Sequence, residues 1–212
     1  MSLFKSFRVM AGTIKQYVIM FIVAVGVTAL FGLVRKFAVN EFVTGFIDGF
    51  VPLFSIIAVT VSCMVASVGV FGANFPSAAG YKYYHSLPNS CELFRRALIF
   101  SDILAIESLV MYAAVVAAFF GLEFMLFTMS VGAFCIGLMN FFGHGRSPFT
   151  KIIPFVVAGG LVGGFYTGVM EEGELSFSPL LIAILVSVAA ALCVSGIAFA
   201  VLRAQKAWER EV

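Results

Sequence analysis

The chain predicts an all-α polytopic membrane protein: one domain over residues 1–212 with six transmembrane helices, both termini cytoplasmic, and a short helix between spans two and three. Three observations lead there. Of the 212 residues, 62% are hydrophobic and 11% charged, and the mean hydropathy is +1.09. Thirteen basic and 11 acidic residues cannot clothe a surface in water, which excludes a soluble globule. Continuous apolar runs recur along the chain, each long enough to cross about 30 Å of hydrocarbon at roughly 1.5 Å per residue. They lack the polar–apolar alternation of barrel strands, so the spans are helical. The basic residues, finally, fall mostly on one side of those runs. A net charge of +2 is too small to argue for nucleic acid as a partner.

The first span is placed at 17–34, behind Lys5, Arg8 and Lys15. It is longer than the apolar region of a cleaved secretion signal, and no small-x-small cleavage site followed by a soluble mature domain appears, so it is expected to remain as an anchor. The second span occupies 50–71. The connection 72–96 is ordered by punctuation: Pro76 suits a first helical turn, Pro88 forbids continuation, and Tyr81, Tyr83, Tyr84 and His85 between them fit a short surface helix. Asn89 with Glu92 three residues on reads as a capping box, so the third helix is expected to begin near Ser90, ahead of a span at 97–120. Spans four, five and six follow at 124–142, 152–170 and 179–202. Lys82, Arg95, Arg96, Arg146, Lys151, Arg203, Lys206 and Arg210 share a side with the N-terminal cations, against Arg35 and Lys36 opposite. The positive-inside rule assigns the richer side to the cytoplasm. Glu41, Asp48, Glu123, Glu171, Glu172 and Glu174 make the other side acidic.

Catalytic signatures are missing from the sequence. It contains no phosphate-binding loop, no H-E-x-x-H, no C-x-x-C, no G-x-S-x-G and no G-x-G-x-x-G. His85 and His144 lack a second ligand at metal spacing. Cys63, Cys135 and Cys193 fall within spans and Cys91 in a cytoplasmic connection, where free, packed thiols are expected. No enzyme activity, cofactor or metal is therefore expected in this chain, and the helices themselves must do the work.

Two features inside the spans bear on that work. The third span carries Asp102 and Glu107, ionisable groups that cost about 2.5 kcal/mol or more in lipid, so each is expected to point inward or to be neutral. Their five-residue spacing puts them on different helix faces, which argues against a dyad. Each is a candidate to line a pathway; the alternative is a protonated carboxyl bonded to a neighbouring helix. The fifth span places Gly159, Gly160, Gly163, Gly164 and Gly168 in overlapping four-residue steps that let a helix approach closely, within the chain or at a protomer interface. Asn140, Ser108, Ser130 and Thr128 read as interhelical polar glue or pathway lining.

The elbow between spans two and three carries a family resemblance. A span, a cytoplasmic helix, then Ser86-Leu87-Pro88-Asn89-Ser90 leading to Arg95-Arg96 and a long third span resembles the type-2 ATP-binding-cassette permeases of exporters. That resemblance implies a cell-membrane permease that pairs with a second permease subunit, identical or not, and binds a cytoplasmic ATPase subunit that supplies the ATP and Mg chemistry. It implies that the short helix is a coupling helix, with contacts at Tyr81, Lys82, Tyr84 and His85. Phe- and Met-rich spans suit an amphipathic or hydrophobic cargo such as a peptide. Two other functions fit the same plan: the substrate-binding membrane subunit of a vitamin importer, and a proton-coupled carrier using Glu107.

Overall fold

The structure is a computed structural model that describes residues 2–11, 14–38, 40–73, 81–144 and 179–209, with six further positions between 152 and 160. Among them the chain is all-helical: α1 (Leu3–Ala11), α2 (Ile14–Phe37), α3 (Glu41–Ala73), α4 (Tyr81–Ser86), α5 (Ser90–Phe120), α6 (Leu122–Phe142) and α7 (Pro179–Glu209). Four stretches are long and apolar enough to cross a membrane: Tyr17–Phe37, Ser90–Phe120, Leu122–Phe142 and Leu180–Glu209. They contain the first, third, fourth and sixth expected spans apart from terminal residues, and α3, 33 residues long, covers the second. Most of the fifth, 152–170, lies outside the described residues.

Local chemistry explains where the helices start and stop. Asn40 caps α3 by accepting the Phe42 N–H on its side-chain oxygen at 2.9 Å, with Glu41 favourably placed in the first turn. Gly121 alone joins α5 to α6. Its φ of 94° lies where a Cβ is disfavoured, and its N–H closes α5 on Ala117 O at 3.3 Å. At the head of α5 the helix does begin at Ser90, but the expected capping box is not formed. Asn89 is left-handed, φ 58°, and its side chain makes no capping bond. Capping needs an extended backbone at that position, and Glu92 has turned along the helix to Arg96 instead, at 2.9 Å.

Helix α5 touches every other described helix and forms the axis of the bundle. Around it lie two cores. One, at the end that gathers α1, α4 and the close of α7, packs Phe7, Met10, Phe71, Phe94, Leu98 and Trp208. The other fills the middle with Val59, Leu109, Tyr112, Val116, Phe127 and Ile136. Side chains such as Ile22, Leu30, Met111, Ile184 and Val194 face outward, as a bundle solvated by lipid requires. α1 is a helix within what the sequence reads only as a basic lead-in: Phe7 and Met10 bury against the bundle while Lys5 and Arg8 stay exposed.

Candidate functional site

The elbow is built by α4 and its anchors. Helix α4 is stopped by Pro88, which has no N–H to continue it, and by the Ser86 hydroxyl, which donates to Tyr83 O at 2.8 Å. One face of α4 is fastened. The His85 ring stacks on Trp208 of α7 with centroids 3.9 Å apart and planes 6° from parallel, and Trp208 stacks in turn on Phe94 of α5 at 4.8 Å. The Trp208 indole N–H donates to Ser90 Oγ at 2.9 Å, so one side chain ties the start of α5 to the end of α7. Tyr84 packs, partly buried, on the same core.

The other face of α4 is open. Lys82 is exposed and Tyr83 is 61% exposed, its ring edge-on to Tyr84 at 5.8 Å. Beside Tyr83 lies an open cleft of about 540 Å³ lined by Val9, Leu87, Pro88 and Leu93 together with Glu92 and Arg96. Its charges are already engaged: Glu92 lies 2.9 Å from Arg96 and 3.7 Å from Arg95. Hydrogen bonding to Arg96 holds the Glu92 carboxyl below its ordinary range. Thus, of the four contacts that the resemblance implies, Lys82 faces out, while Tyr84 and His85 are turned against the bundle. The side chain of Tyr81 lies outside the described residues. Tyr83, Val9 and Trp208 complete the elbow beyond the contacts that the resemblance implies; the Tyr-Lys-Tyr-Tyr run and the sole Trp are the sequence signals for it.

The two intramembrane carboxyls part company. Asp102 is 3% exposed and accepts the Asn140 amide N–H from α6 at 2.8 Å. Glu107 is exposed on the outer side of α5, among Ile103, Ile106, Val110 and Met111. Of the remaining polar groups, Ser108, Thr128 and Ser130 each donate to a carbonyl of their own helix. Cross-helix bonds come instead from Thr28 to the Tyr112 hydroxyl at 2.7 Å and from Tyr17 to Leu104 O at 3.1 Å.

The expected glycine ridge falls mainly outside the described residues, which exclude Gly163, Gly164 and Gly168. Gly159 and Gly160 are helical and exposed, and a Cβ built on either meets nothing within 4 Å. Among the described residues a close backbone approach of two helices lies elsewhere. A Cβ on Gly137 of α6 would stand 2.6 Å from Leu192 O, and one on Gly196 of α7 would stand 2.6 Å from Gly137 O. Gly196, Ala200 and Ala204 repeat at four-residue spacing, the same signal as in the fifth span.

Among the described residues no group of His, Cys, Asp and Glu is placed to hold a metal ion. No protein-family model, curated protein or solved structure matches the chain. At the elbow a braced element presents polar and aromatic side chains outward next to a cleft, an arrangement that suits a protein contact.

Proposed function

We propose that this chain is the permease subunit of an ATP-driven exporter, with six spans and both termini in the cytoplasm of a cell-membrane protein. It pairs with a second permease subunit and is driven by a separate cytoplasmic ATPase that carries ATP and Mg. The observation that supports this most is the construction of α4. A helix of six residues has no stability of its own in water, yet this one is pinned by the His85–Trp208 stack to the two long helices α5 and α7. A force applied to its outer face would therefore pass into two spans at once. The amphipathic or hydrophobic cargo assigned above would move along the paired bundles.

The roles within the elbow divide accordingly. Lys82 and Tyr83 would meet the ATPase, and the cleft beside Tyr83 would receive one of its apolar side chains. Tyr84 and His85 would transmit the motion. Tyr83 offers large contact area with little rotamer freedom to lose. The test is co-purification from native membranes. A stoichiometric ATPase subunit is expected with the wild-type chain, and loss of most of it with the double variant Lys82→Ala, Tyr83→Ala. A complex that survives both changes, or a chain that transports its cargo after ATP depletion, would overturn the proposal.

A further inference from the structure

We propose that Asp102 is a proton-binding site: its Oδ2 carries a proton at neutral pH and donates it to Asn140 Oδ1, closing a neutral pair of hydrogen bonds between α5 and α6. Both residues are enclosed, Asp102 at 3% and Asn140 at 0% exposure. Both hydrogens of the Asn140 amide are already committed, one to Asp102 Oδ1 at 2.8 Å and one to Ile136 O at 3.1 Å. What remains is one oxygen on each group, Asp102 Oδ2 and Asn140 Oδ1, and both are buried without a hydrogen-bond partner among the described residues. Two acceptors cannot satisfy one another. A single proton on Oδ2 would serve both and would leave no net charge on the pair.

Among the described residues no ion pair involves Asp102; the cations Arg95 and Arg96 lie back along α5 and engage Glu92. From α7 the titratable group that senses Asp102 is the Cys193 thiol. Just past the end of α6, His144 stands one turn beyond Asn140 and is bonded through Nε2 to Ala200 O at 3.0 Å, and Cys135 of α6 is bonded to Thr60 of α3. From α3 the neighbouring core receives the apolar Val70 and Phe71, and α1 keeps Lys5 and Arg8 at its exposed face. Next to Asp102 on its own helix, Ser101 donates to Leu98 O. Asp102 and Asn140 thus sit on the two arms of the hairpin that Gly121 closes. Ionisation would delete the second bond and leave a charge between the helices, so the α5–α6 contact weakens as pH rises.

The test uses the full chain in lipid nanodiscs, with Glu107→Gln as background so that no second carboxyl lies at membrane depth in the described helices. Infrared spectra at neutral pH are expected to show a protonated-carboxyl carbonyl band that Asp102→Asn removes. The folding equilibrium of the background protein is expected to fall with rising pH, by up to tenfold per pH unit while the site stays protonated only in the folded state. Asp102→Asn, whose amide N–H replaces the acid O–H, is expected to fold without that pH slope. Should the variant not fold, alkaline titration of the background protein decides instead: the carbonyl band must give way to a carboxylate band. Absence of the band at neutral pH, a stability independent of pH, or stabilisation by Na⁺ or K⁺ that vanishes in Asp102→Asn would overturn the proposal, the last by revealing a cation site.

Discussion

The two ends of the cohesion problem are solved differently in this molecule. At the elbow end, large aromatic side chains do the joining: His85, Trp208, Phe94, His144 and Phe71 form a chain of ring contacts across α3, α4, α5, α7 and the turn that follows α6. At membrane depth, α6 and α7 meet through the near-absence of side chains at Gly137 and Gly196, and polar ties such as Thr28–Tyr112 supplement the packing. The difference follows from the solvent. Where water borders the bundle, burying a big apolar surface is rewarded. In lipid the surroundings are as apolar as the core, so close contact and hydrogen bonds must serve instead.

Substitutions that exchange the two strategies should therefore expose them. Trp208→Ala removes two ring stacks and the bond to Ser90, and a loss of about 3 kcal/mol is expected. It should be seen as a lower thermal midpoint together with faster hydrogen exchange at α4. An unchanged α4 would mean that His85 and Trp208 do not brace it. Gly196→Leu forces the backbones of α6 and α7 apart, with an expected loss of about 2–3 kcal/mol in detergent; full stability of this variant would remove the close crossing from the account. Thr28→Val deletes the buried bond to Tyr112, which should cost about 1 kcal/mol by the same melt. Smallest of all, Gly159→Leu enters open space and should shift stability by less than about 0.5 kcal/mol. A large effect there would show that a second copy covers that stretch.

Much of this was legible in the sequence, for reasons tied to particular residues. The spans at 17–34, 97–120, 124–142 and 179–202 are long apolar runs, and length with hydropathy is the strongest signal that a chain in lipid can carry. Pro88 and the Tyr-rich run located α4. The pairing of elements was not legible: that His85 meets Trp208, 123 positions on, depends on how α4, α5 and α7 converge. The Asn89–Glu92 pattern misled because Glu92 has two other partners, Arg95 and Arg96, within one turn. Asp102 and Glu107 looked alike in sequence, and only packing separates the enclosed carboxyl from the outward one. Gly196, Ala200 and Ala204 carry a readable small-residue ridge, as do the denser glycines of the fifth span, and spacing alone does not say which ridge a neighbouring helix meets.

The proposal that a separate motor grips the outer face of α4 is tested most directly by a photo-crosslinking amino acid placed at Tyr83 in cells that express the chain. The account predicts one dominant adduct, formed with a nucleotide-hydrolysing cytoplasmic polypeptide and lost when that polypeptide is deleted. Adducts with lipid alone, or with a protein outside the cell, would contradict it.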